Sequence, residues 1–508
     1  MTDMRIISAV DDGLPTEVFE GRHLIDGQWQ SAHSNEMFER WSPAHNRLVS
    51  RSAKGGSAET EAAIKAARSC FDSGIWNRLS AKERAGYLLK IADLIEENAE
   101  RIARMDTLES GKPISQSRGE AQGAADLWRY AASLARTLKG DSHNTLGSDI
   151  LGIVLKEPIG VVSVITPWNF PFWILSQKLP FALAAGCTCV VKPSEMAPSS
   201  TVILGELAMQ AGLPAGVVNI VLGYGDPVGH MLTSHPDVDM VSFTGSTAVG
   251  KAVSASASAT LKKLALELGG KNPQVVFPDA DLDAAADAIT FGVYFNQGEC
   301  CNASSRIIVH QDIAEKLTQK IVALSKKVAF GDPLDPDTQV GAIITPEHQQ
   351  KIHICIQEAV SEGADIKLGG DFLSVPGLEG AFYQPTIIGD VSPDMAIASE
   401  EVFGPVLSIL TFQNMEEAIA LTNNISFGLS AGVWSDDVHN CLEFGRRAQA
   451  GTIWTNTWMD GFPELTFGGM KQSGQGREIG SYGLEEFLEV KTMVMRIGKT
   501  RAPWVKEL

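Results

Sequence analysis

Several features that mark particular protein classes are scarce or absent in this sequence. Lysine and arginine number 42 against 61 acidic residues, a net charge of −19. Nucleic-acid binding needs a basic face that neutralises phosphates, so this balance excludes that partner class. The seven cysteines in 508 residues are too few for a disulfide framework and indicate a reducing, cytoplasmic location. Neither Cys187 with Cys189 nor the adjacent Cys300 and Cys301 has zinc-ligand spacing, so we predict no metal site.

Long hydrophobic runs are also missing. The longest apolar stretch, residues 179–191, contains Pro180 and Gly186 and is too short to cross a bilayer. Residues 1–20 lack the basic-then-apolar order of a secretion signal. We therefore expect neither membrane insertion nor secretion.

Hydrophobic periodicity predicts helices in the first third of the chain. Ser57 is a candidate helix cap, and Ser80 with Glu83 forms a capping box before a second helix. From about residue 160, short β-branched runs alternate with helical segments. The predicted strands are 161–166, 188–191, 217–222 and 240–243, and the helices are 172–185, 198–211 and 226–234. This alternation predicts a parallel sheet with helices on both faces and ligands at the carboxyl ends of its strands.

A second alternation follows the Gly269-Gly270 pair. It predicts strands at 274–277 and 306–310 and helices at 281–295 and 312–328. The fold class is thus α/β, with two units of this kind. Residues 490–495 alternate like an edge strand that can pair with another subunit.

Two segments carry groups suited to covalent chemistry. In Gly298-Glu299-Cys300-Cys301, a turn precedes cysteines, and a thiolate presented to a cleft attacks carbonyl carbon. The alternative is that these cysteines are small buried hydrophobes. Glu267 lies between two leucines, where desolvation raises a carboxyl pKa and makes a general base. The alternative is a strand-end charge that faces solvent.

Polar groups that follow the predicted strands suit a nucleotide and an oxyanion. The Asn169 amide can donate to a developing oxyanion, although Asn also favours turns. Lys192 and Glu195 can hold ribose hydroxyls, or form an ordinary polar loop. Small-residue loops join strands to helices at residues 223–229 and 243–250, where backbone amides can approach phosphate.

Together and in this order, these segments resemble the aldehyde dehydrogenase superfamily, in its NAD(P)-dependent, hydrolytic form, over roughly residues 20–500. The resemblance is carried by motifs along the chain: PWNFP at 167–171, KPSE at 192–195, FTGST at 243–247, ELGGK at 267–271, the G-Q/E-x-C segment at 298–301, EEVFGP at 400–405, and FGGxKxSGxGRE at 467–478.

The resemblance implies a role for each catalytic residue. Cys301, the fourth position of its segment, is the expected nucleophile, and Cys300 is not. Glu267 is the general base, Asn169 donates to the oxyanion, and Glu478 lies behind the base and relays its proton. The expected reaction oxidises an aldehyde to a carboxylic acid through a thiohemiacetal and a thioester on the cysteine.

The resemblance also implies NAD as the cofactor. Lys192 and Glu195 match residues at the adenosine ribose, so NAD is expected over NADP, whose 2′-phosphate would meet the Glu195 carboxylate. The other expected cofactor contacts are Trp168 and Ser246 at the pyrophosphate, Glu401 and Phe403 at the nicotinamide ribose and ring, and Thr166, Gly225 and Gly229.

The expected substrate tunnel is mainly aromatic, which suits an alkyl, aryl or cationic aldehyde. Its predicted lining is Phe170, Trp173, Ile174, Gln177, Phe295, Cys300, Trp458 and Phe467. Gln177 replaces a tryptophan that many members have, including betaine aldehyde dehydrogenases. Glu299, Asp460 and Glu464 are candidate charges that would attract an amino-aldehyde.

The implied fold has a Rossmann-like cofactor domain, a catalytic α/β domain and a small β oligomerisation segment. We place these at residues 1–138 with 160–269, at 270–485, and at 139–159 with 486–508. A homodimer or homotetramer is expected. Other possibilities are a CoA-acylating semialdehyde dehydrogenase, which does not need the base, a betaine- or amino-aldehyde-specific enzyme, a phosphoglyceraldehyde enzyme, and a binding protein without catalysis.

Overall fold

Two large mixed sheets and five small ones organise the computed structural model, which describes residues 4–10, 14, 15, 17–498 and 505. The described strands are β1 Arg5–Ile7, β2 Phe19–Gly21, β3 His23–Ile25, β4 Gln28–Gln30, β5 Met37–Trp41, β6 Leu48–Ala53, β7 Asp141–His143, β8 Ile150–Pro158, β9 Val161–Ile165, β10 Thr188–Lys192, β11 Val218–Ile220, β12 Met240–Thr244, β13 Lys263–Glu267, β14 Pro273–Val276, β15 Arg306–His310, β16 Ala329–Gly331, β17 Asp365–Leu368, β18 Phe372–Leu373, β19 Phe382–Tyr383, β20 Thr386–Gly389, β21 Val406–Phe412, β22 Phe427–Gly428, β23 Ser430–Trp434, β24 Thr452–Thr455, β25 Met470–Lys471, β26 Gly474–Gln475 and β27 Leu488–Arg496.

Helices cover these sheets. The described α-helices are α1 Ser57–Ser73, α2 Ala81–Glu97, α3 Ala99–Ser110, α4 Ile114–Thr137, α5 Pro171–Ala185, α6 Ser199–Gln210, α7 His230–Ser234, α8 Thr247–Ala257, α9 Leu282–Tyr294, α10 Ala314–Ser325, α11 Pro346–Ser361, α12 Ala396–Ser399, α13 Met415–Asn423, α14 Val438–Arg447 and α15 Gly480–Glu486. The predicted capping box of α2 is present, with both Ser80 and Glu83 engaged. Gly56, not Ser57, caps α1, because its own N–H donates to the Glu59 carboxylate.

The first large sheet has the strand order β26-β13-β12-β9-β10-β11-β3-β4. Its five central strands are parallel, as the alternation predicts. Side chains of β9 alternate between two cores: Val162 and Val164 pack with helices α2, α4, α5 and α6, whereas Val161 and Ile165 pack with α1, α7 and α8. Because these strands are buried on both faces, their sequences are continuous β-branched runs without polar alternation.

The second large sheet has the order β17-β20-β21-β15-β14-β23-β24 and is parallel except at β17. Strand β13 ends at Glu267 and β14 begins at Pro273, so the carboxyl edge of the first sheet meets the amino edge of the second. The candidate site lies at this junction.

One of the small sheets has three antiparallel strands in the order β27-β8-β7. The predicted edge strand at 490–495 is confirmed: β27 pairs with β8 along one side and is the last strand of the sheet. Parts of the predicted domains, residues 1–3, 11–13, 16, 499–504 and 506–508, lie outside the described residues. The domain division itself stays a prediction.

Candidate active site

The predicted nucleophile follows an unusual turn after helix α9. Asn296, Gln297 and Gly298 have φ values of 50°, 57° and 74°, all in the left-handed region. A Cβ atom on Gly298 would lie 2.1 Å from the Gly404 carbonyl oxygen, so a larger residue does not fit there. Left-handed non-glycine residues are costly and cluster at functional sites. The turn leads the chain to Cys301, which is only partly buried.

An asparagine that sequence reasoning missed holds this segment. Asn272 Nδ2 donates to the carbonyl oxygens of Cys301 at 2.7 Å and Ala303 at 3.0 Å. Its Oδ1 accepts from the Ser430 N–H at 3.1 Å. Asn272 is 1% exposed and stands in the link between β13 and β14. It thereby ties the cysteine segment to both large sheets.

The two adjacent cysteines occupy different surroundings. Cys300 is 6% exposed and packs with Phe170 and Ile174 in a small apolar cluster. The pKa of Cys301 is raised well above its ordinary value by a hydrogen bond with Cys300, by burial and by the charge of Glu401. Cys300 is therefore part of an apolar wall, whereas Cys301 is the partly exposed member of the two.

Glu267, at the end of β13, is buried and lacks a hydrogen-bond partner among the described residues on either carboxyl oxygen. Burial, and then the charge of Glu478, raise its pKa well above the ordinary value, and Cys301 contributes as well. A Cβ atom on Gly468 would lie 2.9 Å from Glu267 Oε1, so the glycine leaves room for the carboxyl group. The alternative of a solvent-facing charge is wrong.

Behind Glu267 lies a buried ion pair. Lys178 Nζ, on helix α5, donates to Glu478 Oε1 at 2.6 Å and to Ser242 Oγ at 3.2 Å. The two charged side chains are 0% and 3% exposed. Burial raises the pKa of Glu478, while the charge of Lys178 lowers the pKa of both carboxyl groups. Sequence reasoning missed Lys178, although a lysine inside so apolar a helix is a usable signal.

Asn169 joins the start of helix α5 to the cysteine segment. The Asn169 side-chain Nδ2 donates to the Glu299 backbone carbonyl oxygen at 3.0 Å. The Asn169 backbone carbonyl oxygen accepts from Asn296 Nδ2 at 3.0 Å. One of the two Nδ2 hydrogens is thus used to fix the amide. The second hydrogen can donate to an oxyanion beside Cys301.

The predicted ribose pair follows strand β10. Lys192 Nζ lies 3.6 Å from Glu195 Oε2 and donates to the Pro193 carbonyl oxygen at 3.1 Å. Burial lowers the pKa of Lys192, and Glu195 opposes that shift. The Glu195 side chain is 34% exposed, so its carboxylate faces an accessible space.

Three other predicted cofactor segments surround the same strand ends. The hydroxyls of Thr166, after β9, and Thr244, at the end of β12, are buried and have no partner among the described residues. Ser246 caps helix α8 by accepting from the Val249 N–H at 3.4 Å. Residues 225–229 form an irregular turn before helix α7, in which Asp226 is extended, with φ −118° and ψ 129°. A Cβ atom on Gly229 would lie 3.8 Å from Lys192 Cδ.

Glu401 and Phe403 approach this edge from the second sheet. Glu401 Oε1 accepts from the Gly270 N–H at 3.0 Å, and burial raises the pKa of Glu401 to about 7. The Phe403 ring meets the Trp168 ring at 5.6 Å, nearly perpendicular. His348, which sequence reasoning missed, donates from Nε2 to the Phe403 carbonyl oxygen at 2.7 Å and also contacts the Trp168 ring.

Most of the predicted tunnel residues come together. The Phe170 and Phe295 rings stack at 5.9 Å beside Cys300 and Ile174, with Trp173 packed against that cluster. The remaining three are more scattered. Trp458 is buried against Gly292 and Trp454, Phe467 pairs with Glu478 through its backbone, and Gln177 is half-buried on α5.

The idea that Glu299 attracts a substrate is wrong. Its side chain is wholly buried, and Oε1 accepts from the Ile344 N–H at 2.9 Å, so the carboxylate is held within the protein. Asp460 and Glu464 are exposed, and the Asp460 carboxylate accepts from the Thr457 hydroxyl.

The family model described as "Aldehyde dehydrogenase family" matches residues 29–493. This chain belongs to the aldehyde dehydrogenase family. It is 40% identical to the betaine aldehyde dehydrogenase of Bacillus subtilis, over 95% of this chain and 98% of that protein. It is 41% identical to human retinal dehydrogenase 2, over 93% of this chain and 91% of that protein.

Solved structures of aldehyde dehydrogenases share the fold. An NAD-dependent aldehyde dehydrogenase from Sinorhizobium meliloti superposes with a TM-score of 0.96 at 46% identity, covering 99% of both chains. The NAD⁺ complex of a Staphylococcus aureus betaine aldehyde dehydrogenase has a TM-score of 0.93 at 37% identity, covering 96% of this chain and 97% of that one. The predicted fold class is confirmed.

The described part of this aldehyde dehydrogenase has neither a metal-binding cluster nor a membrane-spanning helix. Nowhere in that part of the chain do histidine, cysteine and acidic side chains group in a way that would hold a metal ion. No described helix has both the length and the apolar character needed to cross a membrane.

Proposed function

We propose that this aldehyde dehydrogenase oxidises an aldehyde to the carboxylic acid with NAD and water, through a covalent intermediate on Cys301. The observation that carries the proposal is a buried, unpaired Glu267 whose pKa is raised by its surroundings, including Cys301. A carboxyl group without partners is costly to bury, and a raised pKa is what a general base near neutral pH requires. A CoA-acylating enzyme would have no use for it.

The residues at the carboxyl edge of the first sheet fit NAD. Lys192 with Glu195 suits ribose hydroxyls, and the unpartnered hydroxyls of Thr166 and Thr244 offer unused donors at neighbouring strand ends. Ser246 stands at the N-terminus of α8, an end that favours phosphate. The remaining expected contacts are Trp168, Gly225, Gly229, Glu401 and Phe403. When bound, NAD accepts a hydride from the substrate carbon.

The chain's own residues would divide the remaining work. The Cys301 thiol loses its proton to solvent water, and the thiolate sulfur bonds to the aldehyde carbon while the carbonyl electron pair moves to oxygen. The free Asn169 Nδ2 hydrogen donates to the resulting oxyanion. Loss of hydride from this thiohemiacetal leaves a thioester. Glu267 then takes a proton from water, the water oxygen bonds to the thioester carbon, and the carbon–sulfur bond breaks to release acid and thiolate. Glu478 lies behind Glu267 and would accept its proton, while the Lys178 ammonium group donates to Glu478 and holds it in place.

Location, assembly and domain division complete the proposal. The described cysteines are free, which supports a reducing, cytoplasmic location. Among the described residues, strand β27 pairs with β8 alone and is the last strand of its sheet, which supports a homodimer or homotetramer built through the segment 139–159 with 486–508. We also propose the domain division at 1–138 with 160–269 and at 270–485, each part being built around one of the large sheets.

The deciding experiment measures NADH formation with a panel of aldehydes, with and without CoA. We expect turnover without CoA. Cys301→Ala should abolish turnover while NAD binding, measured by calorimetry, persists, because the covalent step has no substitute. Cys300→Ala is the matched control and should alter substrate kinetics only. The reverse pattern would assign the nucleophile to Cys300, and strict dependence on CoA would exclude the hydrolytic reaction.

A further inference from the structure

One buried residue holds the predicted oxyanion donor through its backbone. The Glu299 carbonyl oxygen accepts from Asn169 Nδ2 at 3.0 Å and from Asn296 Nδ2 at 2.9 Å. The Glu299 N–H donates to the Asn296 carbonyl oxygen at 2.8 Å. The two Nδ2 hydrogens of an amide lie in one plane, so the direction of one fixes the direction of the other. The aim of the free Asn169 hydrogen therefore depends on where the Glu299 backbone stands.

The Glu299 side chain ties that backbone to a distant segment. Its Oε1 accepts from the Ile344 N–H at 2.9 Å, and its Oε2 accepts from Gln297 Nε2 at 3.4 Å. Burial raises the pKa of Glu299 well above its ordinary value, against the Ile344 hydrogen bond and the charges of Arg40 and Lys112. Either protonation state has an oxygen that accepts from Ile344. The anchor is thus a hydrogen bond at a set reach rather than a charge.

The segment that receives this anchor is itself fixed. Residues 341–344 lie between β16 and α11, and all four are buried. The Ile344 carbonyl oxygen accepts from Arg40 Nη2 at 3.0 Å, and Arg40 is 9% exposed. Each of the four N–H groups has an acceptor. In chain order these are Gln297 Oε1, the Gly111 and Ala381 carbonyl oxygens, and Glu299 Oε1.

We propose that Glu299 is a positioning residue for the oxyanion site. Its side chain ties the turn before Cys301 to residues 341–344, and its backbone carbonyl thereby aims Asn169 at the oxyanion. The proposal rests on the aldehyde oxidation proposed above and deepens its first chemical step. A buried Ile344 N–H without an acceptor costs free energy, so loss of the anchor should make the turn shift. A displacement of about 1 Å at a reacting centre can lower a rate about 100-fold.

The test separates reach from charge at one position. Glu299→Asp keeps the carboxylate but is one methylene group shorter, whereas Glu299→Gln keeps the length and an acceptor oxygen for Ile344. Stopped flow gives the rate constant for the first turnover of NADH, with NAD and the fastest of propanal, hexanal and benzaldehyde. We expect Glu299→Asp to lower it by about 10- to 100-fold and Glu299→Gln to recover most of that loss. Glu358→Asp, the same change on the exposed face of helix α11, is the matched control.

A double-mutant cycle shows whether Glu299 acts through Asn169. Asn169→Ala alone should lower the first-turnover rate constant by about 100- to 1,000-fold, because it removes an oxyanion donor. Adding Glu299→Asp to Asn169→Ala should lower it little further, since the group that Glu299 positions is already gone. A merely structural role would give the same loss in both backgrounds. Calorimetry with NAD and thermal unfolding accompany each variant.

A milder variant of the same turn guards against misfolding of Glu299→Asp. Gln297→Met removes the contacts with Gly341 and with Glu299 Oε2. It should cause a smaller loss that also disappears in the Asn169→Ala background. A wild-type rate in both turn variants, an equal loss in Glu299→Gln, or full additivity with Asn169→Ala would overturn the proposal. No NADH from the wild type with any of the three aldehydes would instead refute the proposed function.

Discussion

Two lysine–carboxylate pairs flank the candidate active site, and they differ in burial more than in chemistry. Lys178 and Glu478 are 0% and 3% exposed and only 2.6 Å apart. Lys192 and Glu195 are 5% and 34% exposed and 3.6 Å apart. Both lysines are contributed by the first sheet and its covering helix α5.

The difference in burial implies a difference in task. In the inner pair, the carboxylate is closed off from solvent, so its charge acts on Glu267 rather than on a ligand. In the outer pair, one member stays accessible, so it can bind a ligand directly. Disrupting the inner pair should therefore change proton chemistry, and disrupting the outer pair should change cofactor choice.

The largest effect is expected from the base that the inner pair supports. Glu267→Gln should lower steady-state turnover by about 100- to 10,000-fold, because water is no longer activated. A rapid burst of NADH should survive, since acylation of Cys301 does not need this base. Stopped-flow absorbance separates the two phases. Equal loss of burst and turnover would mean that Glu267 activates Cys301 instead.

The burial of Glu267 was only partly predictable from sequence. Its two flanking leucines favour a buried carboxyl group, but the local sequence left a solvent-facing charge open, and the role of general base came from the family pattern. Local sequence did predict the parallel sheet, from β-branched runs such as 161–166. Cys301 was separated from Cys300 by family pattern, and their different surroundings are consistent with that choice.

Sequence reasoning did not find the side chains whose hydrogen-bond partners lie far away in the chain. Lys178 meets Glu478 across 300 positions of sequence, and His348 on helix α11 donates to Phe403 in the loop before β21. Glu299 was misjudged as a surface charge, because nothing in its neighbourhood reveals that Ile344 donates to it. Local sequence patterns indicate which residues are buried and whether a segment is a helix or a strand. The contacts named here form only when distant segments of the chain pack together.

The second-largest effect is expected from removing the lysine of the inner pair. The positive charge of Lys178 lowers the pKa of Glu267, so Lys178→Met should raise that pKa further. Because the base works deprotonated, its active fraction at a given pH falls, and the rising limb of the kcat–pH profile should move up by at least about one unit. Activity lost at pH 7 should return partly at higher pH.

Lys192→Met is the matched control from the outer pair. It removes the same charge at a site whose partner is Glu195, and it should raise the KM for NAD while leaving the pH limb in place. A pH limb that moved equally in both variants would show that the two pairs are not separated in function. An unmoved limb in folded Lys178→Met would remove the inner pair from the proton chemistry.

The smallest effect concerns cofactor choice by the outer pair. The Glu195 carboxylate suits two free ribose hydroxyls, and a 2′-phosphate beside it would bring like charges together in a partly desolvated space. Lys192 partly offsets that repulsion, so some use of NADP is expected. Glu195→Gln should raise the NADP to NAD ratio of kcat/KM by roughly tenfold, equivalent to about 1.4 kcal/mol. The change should be in KM, since this pair is remote from Cys301, and the NADH burst should keep its rate constant.

Glu206→Gln, a substitution on the exposed part of the following helix α6, controls for a general loss of negative charge. Wild-type efficiency with NADP equal to or above that with NAD would contradict the assignment of Glu195.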